Sequence, residues 1–189
     1  MKPKRIFGMF VAVAIVQLAV PISQIWKHEN ILRTGTPYKF RTAPVDPYDA
    51  FRGRYVALGF ADTEAPVRAG ETLEHRQRAY VGLRVGADGF VEYTELSAQP
   101  PAQGDYLRVK GYYQSETNAN FQLPFDRFFM EETKAPRAEV AYWRHSNRRG
   151  QTNEATYVVV RVKSGRGVIE DLYIKDTPIR EFLARDAAR

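Results

Sequence analysis

Cysteine is missing from all 189 residues. That absence excludes a disulfide scaffold, a zinc ribbon, an iron–sulfur cluster and a thiol nucleophile. Histidine is almost as scarce, with three residues at positions 28, 75 and 145. They lie far apart in sequence, and none sits in an H-E-x-x-H run or a comparable zinc spacing. The phosphate-cradling pattern G-x-x-x-x-G-K-[ST] and the nucleophile elbow G-x-S-x-G are also absent. No catalytic residue, no metal ligand and no cofactor is therefore assigned. Excess positive charge is modest: the net charge is +6, and half of it belongs to Lys2, Lys4 and Arg5. Nucleic-acid binding wants a dense basic stripe, which this chain does not display, so nucleic acid is not an expected partner. The local run Arg144, His145, Arg148 and Arg149 reads as a solvated loop.

What is present begins with a membrane signal. Lys2, Lys4 and Arg5 form a short basic head, and residues 6–25 follow without a charge. About 20 apolar residues at 1.5 Å each cross a hydrocarbon core of about 30 Å. Gln17, Pro21, Ser23 and Gln24 weaken the second half, and Pro21 is expected to kink or end the helix early. Trp26 stands where an interfacial aromatic anchor stands. Cleavage by a signal peptidase wants small residues at −3 and −1, and the run Val20–Ile25 offers no A-x-A pattern. An uncleaved anchor is the expectation. Only Lys27, beside Glu29, closely follows the span, so the positive-inside rule puts the N-terminus in the cytoplasm and the remainder outside. In a bacterium, which the short head suggests, that is an inner-membrane anchor with a periplasmic domain. The organisation is then a head and transmembrane anchor over 1–26, a polar connector over 27–34 and one domain over 35–189, contacting inner-membrane lipid through residues 6–25.

The rest of the chain reads as strands separated by turns. At 44% apolar and 26% charged it is a folded domain, not a disordered one. Alternation predicts strands over 38–42, 54–60, 78–85, 90–96, 104–113, 156–163 and 168–174. Gly86–Gly89 and Ser164–Gly167 are the expected hairpin turns. Residues 61–75 and 114–120 read as loops, and 121–130 as extended with a break at Pro124. A helix is predicted over 134–146, with Val140, Trp143 and Ala141 on its apolar stripe. Thr177 and Pro178 resemble the cap and first position of a short final helix. The fold class is a β-dominated α+β domain: a mostly antiparallel curled sheet or partial barrel with one or two helices.

One segment stands out. In Asp46-Pro47-Tyr48-Asp49-Ala50-Phe51-Arg52-Gly53, Asp46 can cap a helical turn, with Pro47 at its first position. Asp49 and Arg52 can pin that turn as an ion pair. The same three polar side chains, Asp46, Asp49 and Arg52, are also the best acid–base or cation-binding constellation in the chain. Gly53 opens the strand carrying Tyr55 and Leu58. A second turn of similar build, Gly104-Asp105-Tyr106, opens another strand; glycine, a local acceptor and a β-former are good strand-entry chemistry.

The run from Pro44 to Phe60 resembles the defining segment of the GDYXXLXY family, bacterial membrane-anchored proteins named for this motif. Gly53, Tyr55 and Leu58 match it, while Arg54 replaces the aspartate and Phe60 the last tyrosine. Residues 125–132 and 168–174 resemble later segments of the family. The resemblance implies membrane anchoring and supplies no activity. Arg54 argues against a catalytic or metal-binding carboxylate at that position. The expected function is a non-enzymatic accessory or protein-binding module with a membrane or periplasmic protein partner. The alternative is a cell-envelope enzyme or a glycan- or lipid-binding domain built on Asp46, Asp49 and Arg52.

Overall fold

The computed structural model describes residues 3–43, 55–60, 63–114, 117–146 and 156–186. Helix α1 runs from Pro3 to Thr34. At 1.5 Å per residue its 32 residues span about 48 Å, well beyond a hydrocarbon core. Its apolar side chains point outward on all sides: Phe7, Phe10, Ile15, Leu18, Ile22, Ile25 and Trp26 are all exposed. An all-round apolar helix has no polar face to give to water, which suits lipid. The helix passes Pro21 without ending there. The polar stretch 27–34 is the last two turns of the same helix, and it ends on the domain: Ile31 is buried.

Gly35 makes that junction. Its N–H donates to the Ile31 carbonyl at 2.8 Å. A β-carbon there would stand 2.6 Å from the Ile31 carbonyl oxygen and 3.0 Å from that of Val162. Only glycine lets the helix end lie this close to a neighbouring strand. The Lys163 ammonium donates to the Thr34 hydroxyl at 2.6 Å, and Arg161 donates to the Gly35 carbonyl.

Beyond Gly35 come strands β1 (Thr36–Ala43), β2 (Tyr55–Ala57), β3 (Gly59–Phe60), β4 (Glu64–Pro66), β5 (Arg78–Val85), β6 (Val91–Ser97), β7 (Tyr106–Gln114), β8 (Asn118–Gln122) and β9 (Arg127–Phe129). Helix α2 (Ala135–Ser146), strands β10 (Thr156–Lys163), β11 (Arg166–Ile174) and β12 (Thr177–Pro178), and helix α3 (Ile179–Asp186) complete the order. The strands form two five-stranded antiparallel sheets, β12-β11-β10-β1-β3 and β4-β8-β7-β5-β6, and the pair β2-β9. Neither sheet closes on itself. The fold is a β-dominated α+β architecture, as the strand alternation predicts.

The two sheets share one core. Phe40 on β1, 1% exposed, meets Phe60, Phe125 and Tyr93 at ring-centroid distances of 6.3, 5.3 and 6.4 Å. Tyr93 belongs to the other sheet and packs edge-on to Phe121 at 4.9 Å. The β10–β11 turn links the sheets a second time. Ser164 and Gly165 carry φ of 50° and 76°, the two positive values of a type I′ hairpin. The turn is thus two residues rather than the four expected. Gly165 lies against the Tyr106 ring, 2.6 Å from where its β-carbon would be, and its carbonyl accepts the Arg108 N–H at 2.9 Å.

Several expectations need correction. The single strand predicted over 54–60 is two: β2 pairs with β9, whereas β3 pairs with β1. The chain changes partner at Leu58, whose N–H donates to the Asp126 carbonyl at 2.9 Å. The loop predicted over 61–75 contains β4. That strand lies at a sheet edge, where Pro66 removes no central ladder bond. Strand β8 begins inside the stretch read as a polar turn; Ala119 and Phe121 face inward between Asn118, Asn120 and Gln122. On α2 the buried residues are Ala135, Ala138, Ala141 and Tyr142, while Val140 and Trp143 are 49% and 44% exposed. Small side chains let α2 approach the sheet, and the Tyr142 hydroxyl donates to the Ala43 carbonyl at 2.7 Å. Thr177 and Pro178 pair with β11, and α3 starts after them.

Candidate functional site

Of the motif residues singled out in the sequence, Asp46, Pro47, Asp49, Arg52 and Gly53 lie outside the described residues. Tyr55 opens β2 opposite Phe129. Its half-buried ring meets Phe129 edge-on at 5.7 Å and carries the Arg127 guanidinium 5.1 Å from its centroid. Leu58 is 4% exposed, part of the core. Phe60, which stands where the family motif has tyrosine, packs edge-on to Phe125 at 5.5 Å. This half of the motif is strand entry followed by core packing.

The second motif-like turn is fully described. Gly104 sits at φ 84°. The Asp105 carbonyl accepts the Leu83 N–H at 2.8 Å, and its carboxylate accepts the Tyr38 hydroxyl at 3.1 Å. Burial first, and then the Asp105 carboxylate, push the Tyr38 hydroxyl pKa up to about 12. Tyr38 is therefore a neutral donor that ties β1 to the start of β7. Tyr106 meets Tyr80 edge-on at 5.8 Å. Asp105 and Tyr106 each have a structural partner, and Gly104 supplies the left-handed backbone of the turn.

A basic cleft was not anticipated from the sequence. Strands β5 and β7 pair so that Arg78 stands opposite Lys110 and Tyr80 opposite Arg108. These side chains share the outer face of the sheet, because the alternating residues Ala79, Leu107 and Val109 are buried inside. A cavity of about 490 Å³ lies along this face, lined by Arg76, Arg78, Arg108 and Lys110, with Pro124 and Asp126 at its edge. A smaller cavity, about 240 Å³, lies beneath the end of α1 and is lined by Lys27, His28, Ile31, Arg108 and Arg166. The out-facing pattern of Arg108 and Lys110 was readable locally. Their meeting with Arg78 depends on strand register, and with Lys27 on the docking of α1.

Helix α2 turns Val140 and Trp143 to the outside. Val140 borders a shallow cleft of about 320 Å³ with Arg137, Arg144 and Leu183. Among the described residues no group of three or more His, Asp or Glu side chains is arranged to hold a metal ion.

These features define a class: a β-rich domain carried on one N-terminal helix that is long and apolar enough to cross a membrane. Within that class, the chain belongs to the GDYXXLXY family, whose description as GDYXXLXY protein matches residues 17–172. No curated protein and no solved structure matches the chain.

Proposed function

We propose that this chain is a single-pass inner-membrane protein with a cytoplasmic N-terminus, whose periplasmic domain, residues 35–189, is a non-enzymatic module that binds a membrane or envelope protein. One observation carries the binding reading: α2 spends its small residues on the core and leaves Trp143 and Val140 in solvent. Trp is the residue type most enriched among interface anchors. Arg137, Arg144 and Asp186 border the same surface, which is net positive, so the partner presents an apolar anchor flanked by charged groups in which carboxylates predominate.

Trp143→Ser tests this. The side chain is 44% exposed and otherwise covered, so the change costs about 0.5–3 kcal/mol, and circular dichroism of both chains checks that the domain stays folded. The tagged full chain and the variant, crosslinked in the membrane and purified, are compared by mass spectrometry. The expected result is a discrete partner at near-equal stoichiometry with the parent chain and its loss with Trp143→Ser. Equal recovery from both chains would sink the α2 surface as the binding face.

A further inference from the structure

We propose that the basic cleft running from the end of α1 along the outer face of β5 and β7 binds the phosphate headgroups of anionic phospholipids in the membrane that α1 crosses. The inference rests on α1 spanning the bilayer and is independent of any protein partner.

Height is the first argument. The apolar span ends at Ile25 and Trp26, and Lys27 and His28 come next on the helix. They line one cavity with Gly165, Arg166 and Val168 of the β10–β11 turn. Two residues of helix advance about 3 Å, whereas the headgroup region adds about 5–8 Å on each side of the hydrocarbon core. The turn therefore sits at headgroup level. Ile31 and Gly35 fix α1 to the sheet, so this level is set by packing and not by a loose tether.

Charge is the second. Arg108 and Pro124 line both cavities, so the two form one continuous surface. Arg78 and Lys110 are directly opposite on paired strands, an arrangement that like charges disfavour in the absence of a counter-charge. Among the described residues, Lys27, Arg78, Arg108, Lys110 and Arg166 have no carboxylate within ion-pair distance. Asp126 at the cleft edge instead pairs with Arg127 at 3.5 Å. Four arginines elsewhere are neutralised: Arg41, Arg68, Arg84 and Arg161 each hold a carboxylate at 2.7–2.8 Å. Lys27, Arg78, Arg108, Lys110 and Arg166 thus gather without a carboxylate along one connected surface beside the end of the apolar span.

Backbone conformation is the third. Arg76, also on the cleft, holds φ at 61°, with its N–H donating to the Gly111 carbonyl at 2.7 Å. It is the left-handed position of the Glu74–Gln77 turn, closed by the Gln77 N–H donating to the Glu74 carbonyl at 3.0 Å, and this turn holds Arg76 at the cleft wall.

The test uses the full chain in nanodiscs of phosphatidylcholine containing a quarter phosphatidylglycerol. Lipids retained after detergent release are counted by native mass spectrometry. Phosphatidylglycerol is expected to exceed its bulk share. Each neutralised cation near the surface lowers that preference by about fivefold, so Arg78→Gln combined with Arg108→Gln abolishes it. Arg84→Gln, which removes a cation already paired with Glu92, leaves it unchanged. Retention at the bulk ratio, or equal enrichment in the double variant, overturns the proposal. So does displacement of the lipid by excess inorganic phosphate, which assigns the site to a free anion. Added salt weakens the enrichment of the parent chain if the contact is electrostatic, giving a second readout should the double variant misfold. Flotation with pure phosphatidylcholine vesicles tests the anchor separately. A chain that fails to float overturns the height argument and the anchor together, whereas one that floats without enrichment overturns the headgroup site alone.

Discussion

Phe40→Ala lowers the stability of the chain by about 3–5 kcal/mol, the range for deleting a buried phenyl ring. Phe40 is 1% exposed and contacts Phe60, Phe125 and Tyr93. Those rings come from both large sheets and from the segment between β8 and β9, so no single element can close around the gap. The neighbours are themselves held: Phe125 by Phe60 at 5.5 Å and Tyr93 by Phe121 at 4.9 Å. A cavity that cannot collapse gives the upper part of the range. Chemical denaturation of the full chain in detergent, followed by circular dichroism, measures the loss. A loss below about 1 kcal/mol, a surface-like value, would mean that the two sheets do not share this core.

Gly35→Ala acts at the other structural joint. The added β-carbon meets two backbone oxygens, of Ile31 at 2.6 Å and of Val162 at 3.0 Å. Neither can rotate away, as the tip of a flexible side chain could. Either the last turn of α1 or the edge of β10 has to move. Overpacking of this kind costs about 1–3 kcal/mol. The expected result is twofold: a lower denaturation midpoint and faster proteolytic cleavage around residues 31–36, as α1 lifts from the domain. An unchanged midpoint with unchanged cleavage would show that the helix is not packed on the sheet in this way.

Local chemistry explains which parts of the fold were readable. Strands β5, β10 and β11 showed themselves through alternation and β-branched residues, and their turns through glycine at positive φ. The apolar run of α1 was equally plain. The division of 54–60 between β2 and β3 was not, because it depends on which distant strands lie alongside. Val56, Leu58 and Phe60 keep the single apolar face that alternation predicts, yet their hydrogen-bond partners differ. The inward face of α2 was misread because size was taken as the guide. In a close helix–sheet contact alanine is the residue that fits, and the large Val140 and Trp143 are left outside.

The candidate site divides in the same way. Leu58 and Tyr106 are legible as strand-entry and packing residues, and the structure gives them those neighbours. Asp46, Asp49 and Arg52, the constellation with the most chemical promise in sequence, fall outside the described residues. The basic cleft had only a partial local signature, the outward alternation of Arg108 and Lys110 on β7. Arg78 and Lys110 are far apart along the chain and meet only through the β5–β7 register. Lys27 joins them only because α1 continues as helix to Thr34 and docks through Ile31.

The most direct test of the account is topology, and the absence of cysteine makes it clean. Lys4→Cys and Thr72→Cys place single thiols at exposed positions before and after the apolar span. A membrane-impermeant maleimide is applied to cells whose outer membrane has been permeabilised. The account predicts labelling of Thr72→Cys in intact cells and of Lys4→Cys only after the inner membrane is broken. The reverse pattern, or labelling of both in intact cells, would contradict a single-pass anchor with its domain in the periplasm.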